Sequence, residues 1–174
     1  FFDVFTPNYP YLSSALKFII LGTTGEYLGA VIRTNGNWKP FPGWKIIPKM
    51  VIWAALGVII KWAFSSFVLL IPLQARHGLV PASCGVIGSF FFAAAVSIEM
   101  NLLFAPFMMA FHRFLDNIVD WRWRWQGMDV ALYSILWFWI PAHTITFLLP
   151  TNYRIVFAAF LGVAFDKSKP TKRL

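Results

Sequence analysis

Charge is scarce in this sequence. Its 174 residues carry 15 Lys and Arg and 7 Asp and Glu, 13% of the chain, about half the share found in soluble domains. Acid is the scarcer sign, leaving a net charge of +8. Cysteine occurs once, as Cys84, which excludes an internal disulfide framework and a cysteine-built zinc site. There is no phosphate-cradling glycine loop, nucleophile elbow or histidine–glutamate metal motif. No catalytic residue, cofactor or metal ligand is therefore assigned, and the chain is read as a non-enzyme. The start lacks a basic region followed by a short apolar core and small-residue cleavage site, so no cleavable signal is assigned.

What is abundant is grease. Hydrophobic residues make up 59% of the chain, with 19 Phe, 9 Trp and 5 Tyr. A small water-soluble domain could not hide that much apolar surface, and disordered segments are poor in aromatics. The expected class is all-α, a polytopic transmembrane helical bundle forming a single integral membrane domain over residues 1–174. Four spans are expected, at 11–32, 46–71, 86–111 and 130–149, the last kinked or broken at Pro141. Each has the roughly 20 residues needed to cross about 30 Å of hydrocarbon. A short or re-entrant apolar helix is expected at 153–165. Long apolar runs without strict alternation favour helices over a barrel.

Charge placement sets the expected topology. Arg33, Lys39, Lys45, Lys49, Arg113, Arg122 and Arg124 fall on one side, and Arg76 on the other. The tail residues Lys167, Lys169, Lys172 and Arg173 join the larger group only if the last segment also crosses. The positive-inside rule therefore favours that passage, with the basic side facing cytoplasm or matrix. The expected membrane is an organelle inner membrane or a bacterial plasma membrane, between which the sequence does not choose.

Glu26, Lys61 and Glu99 lie within spans and, with Asn101, are the candidate polar lining. Ionisable groups in lipid are costly and seek partners. At about 1.5 Å per residue, Lys61 and Glu99 lie about 22 and 18 Å from the basic side and are expected to pair, whereas Glu26, about 9 Å in, marks the mouth of any path. Such a pair either fixes helix register or lines a route. Asn101 is expected to bond across a helix contact or to line a pore. Gly22, Gly25 and Gly29, and the four-residue ladder Gly85, Ser89, Ala93 and Ser97, mark close helix packing. His143 sits near threonine hydroxyls and reads as a satisfied histidine rather than a ligand. The depth difference from His112 rules out a shared bis-histidine site. Trp121, Arg122, Trp123, Arg124 and Trp125 interleave rings with cations; between spans this is an interfacial lipid contact rather than a nucleic-acid surface.

Several patterns resemble the Mpv-seventeen and peroxisomal membrane protein family. Gly25-Glu26 is similar to that family's glycine–acid pair, with Ala30 at its glutamine position. Asn101-Leu102-Leu103-Phe104-Ala105-Pro106 resembles its stretch leading to Phe-Ala-Pro, with Glu99 displaced by one and Met100 in the acid's place. Trp139, Pro141, Phe147, Pro150, Tyr153 and Arg154 follow the order of its C-terminal signature. The resemblance implies a small four-span protein with a channel or solute-permeability role.

The sequence thus points to a membrane protein forming or regulating a small-solute or ion path. The rival is a non-catalytic accessory subunit of a larger membrane complex, and a pigment or redox protein comes third. Expected partners are membrane lipids and either further copies of the chain or other membrane subunits; no nucleic acid is expected.

Overall fold

The structure is a computed structural model that describes residues 2–168, and among these every regular element is helical. Eight α-helices follow in order: α1 (Phe2–Asn8), α2 (Pro10–Arg33), α3 (Ile46–Arg76), α4 (Phe90–Leu103), α5 (Ala105–Asp120), α6 (Met128–Ser134), α7 (Ile140–Leu148) and α8 (Thr151–Ser168). Three helical stretches are long and apolar enough to cross a membrane: Pro10–Arg33, Gly43–Arg76 and Met128–Leu148. A fourth joins them if the bent pair α4 and α5 counts as one span. The all-α, membrane-compatible class is what the composition calls for.

Residues 86–111 do not form one straight rod. Helix α4 begins only at Phe90, where the Ser89 hydroxyl caps it by accepting from the Phe92 N–H at 3.1 Å. It ends at Leu103, and α5 departs at 46°. The cause is Pro106, which has no N–H to continue the ladder and restricts the residue before it. Beyond the bend, Phe107, Phe111, Phe114 and Ile118 share one face of α5, while His112, Arg113, Asp116 and Asp120 share another. In the last span, Pro141 produces no break. A π-helical turn at Ile135–Trp139 precedes it, closed by the Ile140 N–H on the Ile135 carbonyl, and so accommodates the missing donor. Helix α8 runs as one helix through 153–165 and is not among the stretches long and apolar enough to cross. Lys169, Lys172 and Arg173, on which the topology count leans, lie outside the described residues.

The chain divides into two compact units, 1–58 with 155–174, and 59–154. Helix α3 contributes to both. In the first unit, α2 and the start of α3 approach closely at Gly57. The Ser14 hydroxyl donates to the Gly57 carbonyl at 2.6 Å, and a Cβ on Gly57 would stand 2.9 Å from the Ser14 carbonyl oxygen. Gly22, Gly25 and Gly29 are buried on α2, and the indole of Trp53 fills the space where a Gly22 side chain would go. In the second unit, α4 packs chiefly on α7, through the buried Ala93, Val96, Ser97, Met100 and Asn101. The expected ladder therefore serves α4 packing only from Ala93 onward. Gly85 lies in a 3-10 turn (Ala82–Gly85), and Ser89 spends its hydroxyl on the cap.

Because the Gly57 site is closed by backbone, Gly57→Ala is expected to lower unfolding free energy by about 1–3 kcal/mol. Gly43→Ala, whose Cβ meets nothing within 4 Å, should change it by less than about 0.5 kcal/mol. Unfolding by denaturing detergent, followed by tryptophan fluorescence, checks both.

Candidate functional site

Each unit contains its own cluster of polar side chains. In the first unit the centre is Glu26. Its Oε1 accepts from Lys49 Nζ, and its Oε2 accepts from Trp53 Nε1 at 2.9 Å. Lys49 and Trp53 are four residues apart on α3 and so share a face. Lys49 is only 5% exposed, and its ammonium also lies 5.7 Å over the Phe41 ring. Tyr27 extends the cluster, donating to the Trp38 carbonyl and meeting Phe41 edge-on. Glu26 thus ties α2 to α3 rather than standing free at a mouth.

In the second unit, Asn101 is the hub. Its Nδ2 donates to the Ser97 carbonyl at 2.8 Å, and its Oδ1 lies 3.1 Å from His143 Nδ1 across the α4–α7 contact. The Ser97 hydroxyl donates to the Ile140 carbonyl at 2.7 Å. Thr144 and Thr146 donate back to the carbonyls of Ile140 and Ala142. His143 is walled by the rings of Phe64 and Trp139, at 5.6 and 5.3 Å. Asn101 thus bonds across the helix contact, to His143, as well as to Ser97 on its own helix.

Lys61 and Glu99 do not pair. Lys61 Nζ donates to Ser65 Oγ at 3.0 Å on its own helix, and Glu99 Oε2 accepts from Gln74 Nε2 at 3.0 Å. Gln74 lies thirteen residues beyond Lys61 on α3, about 20 Å along the axis. The depth count fails because it ended the span at residue 111, whereas α5 runs on to Asp120, about 14 Å farther along the helix. Lys61 is half-buried, and among the described residues it has no acidic partner.

The family-like C-terminal residues gather in the same unit. Phe147 is fully buried, with its ring 4.9 Å from Phe64. Pro150 follows the end of α7, and its carbonyl accepts from the Tyr153 N–H. Arg154 Nε donates to the Leu149 carbonyl at 2.9 Å, and its guanidinium lies 5.7 Å over Phe147. The run from Trp121 to Trp125 leaves α5 through a left-handed residue, Trp121 (φ 51°). Trp121, Trp123 and Trp125 are exposed, while Asn117 organises the loop by accepting from the Arg124 N–H. Arg124 also lies 3.9 Å from Asp120. Sequence reasoning missed Lys49, Trp53, Gln74 and Asn117 as partners; Lys49, at the edge of its span, reads as a loop charge.

Two outcomes follow. Glu26→Gln should cost about 3 kcal/mol or more by stranding the buried Lys49 charge, and the double variant with Lys49→Met should recover most of it; unfolding free energies in detergent measure both. A double-mutant cycle of Asn101→Ala and His143→Phe should return a coupling of about 0.6–1.7 kcal/mol. Comparison of the chain with protein-family models, curated proteins and solved structures finds no match.

Proposed function

We propose that this chain is an integral membrane protein that forms or regulates a small-solute or ion path, served by its second unit. One observation carries the reading: Lys61, fifteen residues into an apolar helix, is half-buried with a neutral hydroxyl as its bonding partner. A charge kept at such a position without a counter-ion is costly in lipid and marks a hydrated or ligand-bearing place. The likeness of Pro150, Tyr153 and Arg154 to the Mpv-seventeen family's tail supports the same reading. Glu26 belongs to the scaffold, since both its carboxylate oxygens are engaged.

A second reading, a non-transporting subunit of a larger complex, is favoured by the α4–α7 seam. There Ser97, Asn101 and His143 are bonded to one another and to the backbone within the chain. Stable stoichiometric association on native purification, without autonomous flux, would select it.

The test is solute and ion flux in liposomes reconstituted with the full chain. Wild type should exceed empty liposomes, and Lys61→Met should change rate or ion selectivity about tenfold, the scale of one lost charge-assisted contact. Wild-type flux equal to that of empty liposomes rejects the proposal.

A further inference from the structure

Lys61 and Arg154 converge on one aromatic pair. Lys61 lies one helical turn before Phe64 on α3; Phe64 touches Phe147, and the Arg154 guanidinium rests on the Phe147 ring. Lys61 turns its Nζ forward to Ser65, the residue next to Phe64. Among the described residues neither has a carboxylate partner, and Arg154 bonds through its Nε alone, to the Leu149 carbonyl. Glu99, the counter-ion that the depth count offers Lys61, is held by Gln74 farther along α3. Two like charges beside buried rings repel and lose hydration unless a negative group lies between them. A planar guanidinium presents a fork to two oxygens, and an ammonium adds a point charge.

We propose that Lys61 and Arg154 together bind a small oxyanion, phosphate or carboxylate, beside the Phe64–Phe147 pair. As the identity of the traffic, this rests on the permeation reading; as a binding site, it is measured without flux. A lipid headgroup would supply the same phosphate chemistry as a free ion, so the experiment separates the two sources.

The full chain in phosphatidylcholine nanodiscs is titrated calorimetrically with inorganic phosphate and with succinate at constant ionic strength. A second set of nanodiscs carries phosphatidic acid, and native mass spectrometry counts the lipid retained. Saturable binding is expected, weakened about tenfold or more in Lys61→Met, retained in Lys61→Arg and unchanged in Arg76→Gln. Arg154→Gln should weaken it too; because Arg154 also braces Leu149, the Lys61 variants carry the test if that protein misfolds. Retained phosphatidic acid that blocks the titration assigns the site to a headgroup, and its failure to block assigns it to a free anion. No saturable binding in either set, or equal binding by wild type and Lys61→Met, overturns the proposal. If binding persists while liposome flux is absent, the permeation reading falls and the site stands.

Discussion

Hydrocarbon offers no hydrogen bonds, so every polar group carried into it must find its partner within the protein. Most of the architecture follows from that constraint. Ser14 reaches the Gly57 carbonyl, Ser97 the Ile140 carbonyl, and Thr144 and Thr146 the carbonyls one turn behind them. Asn101 and His143 answer each other across two helices. Because each partner is a fixed backbone or side-chain atom, these bonds specify which faces of the helices meet, a task that apolar contact between greasy surfaces performs poorly in lipid. Glycine sets how near they come: Trp53 lies where a larger residue at position 22 would stand.

The two clusters use the constraint differently. Around Glu26 the carboxylate is met by a cation and an indole N–H, with a phenyl ring over the ammonium. That arrangement compensates charge with charge and is suited to holding helices in register. Around Lys61 the compensation is incomplete. A hydroxyl satisfies one donor of the ammonium, but no negative charge balances it among the described residues. In an apolar surround, a charge compensated like that of Glu26 holds structure, while one left without a counter-charge stays costly.

Much of this was legible in the sequence. Composition and run length mark the helices, and the long apolar stretches of α2, α3 and the last span begin within a few residues of where the apolar runs put them. The small residues of α2 and the later part of the α4 ladder fall on buried faces, since glycine, alanine and serine at helical spacing have little other use in lipid. Pairing was less legible. Counting depth from residue 111 requires the helix to end there, and α5 instead runs on to Asp120, which puts Glu99 opposite Gln74 rather than Lys61. Lys49 was hidden for a different reason. A lysine near a helix end normally reaches for water, so its burial against Glu26 and Phe41 depends on a loop whose path the sequence does not spell out. The Asn117 contact that shapes the Trp-Arg run is likewise a loop property.

The π-helical turn at Ile135–Trp139 has a consequence for the whole last span. One surplus residue in a turn rotates everything beyond it by about 100° relative to an unbroken α-helix. Residues spaced by four on either side of that turn therefore do not form one continuous stripe. Ser134, buried before the turn, donates its hydroxyl to the Ala131 carbonyl on its own helix, while His143 and Phe147 beyond it meet Asn101 of α4 and Phe64. A single crossing can thus address two different surroundings above and below its swivel. No uniform heptad or four-residue pattern describes its full length.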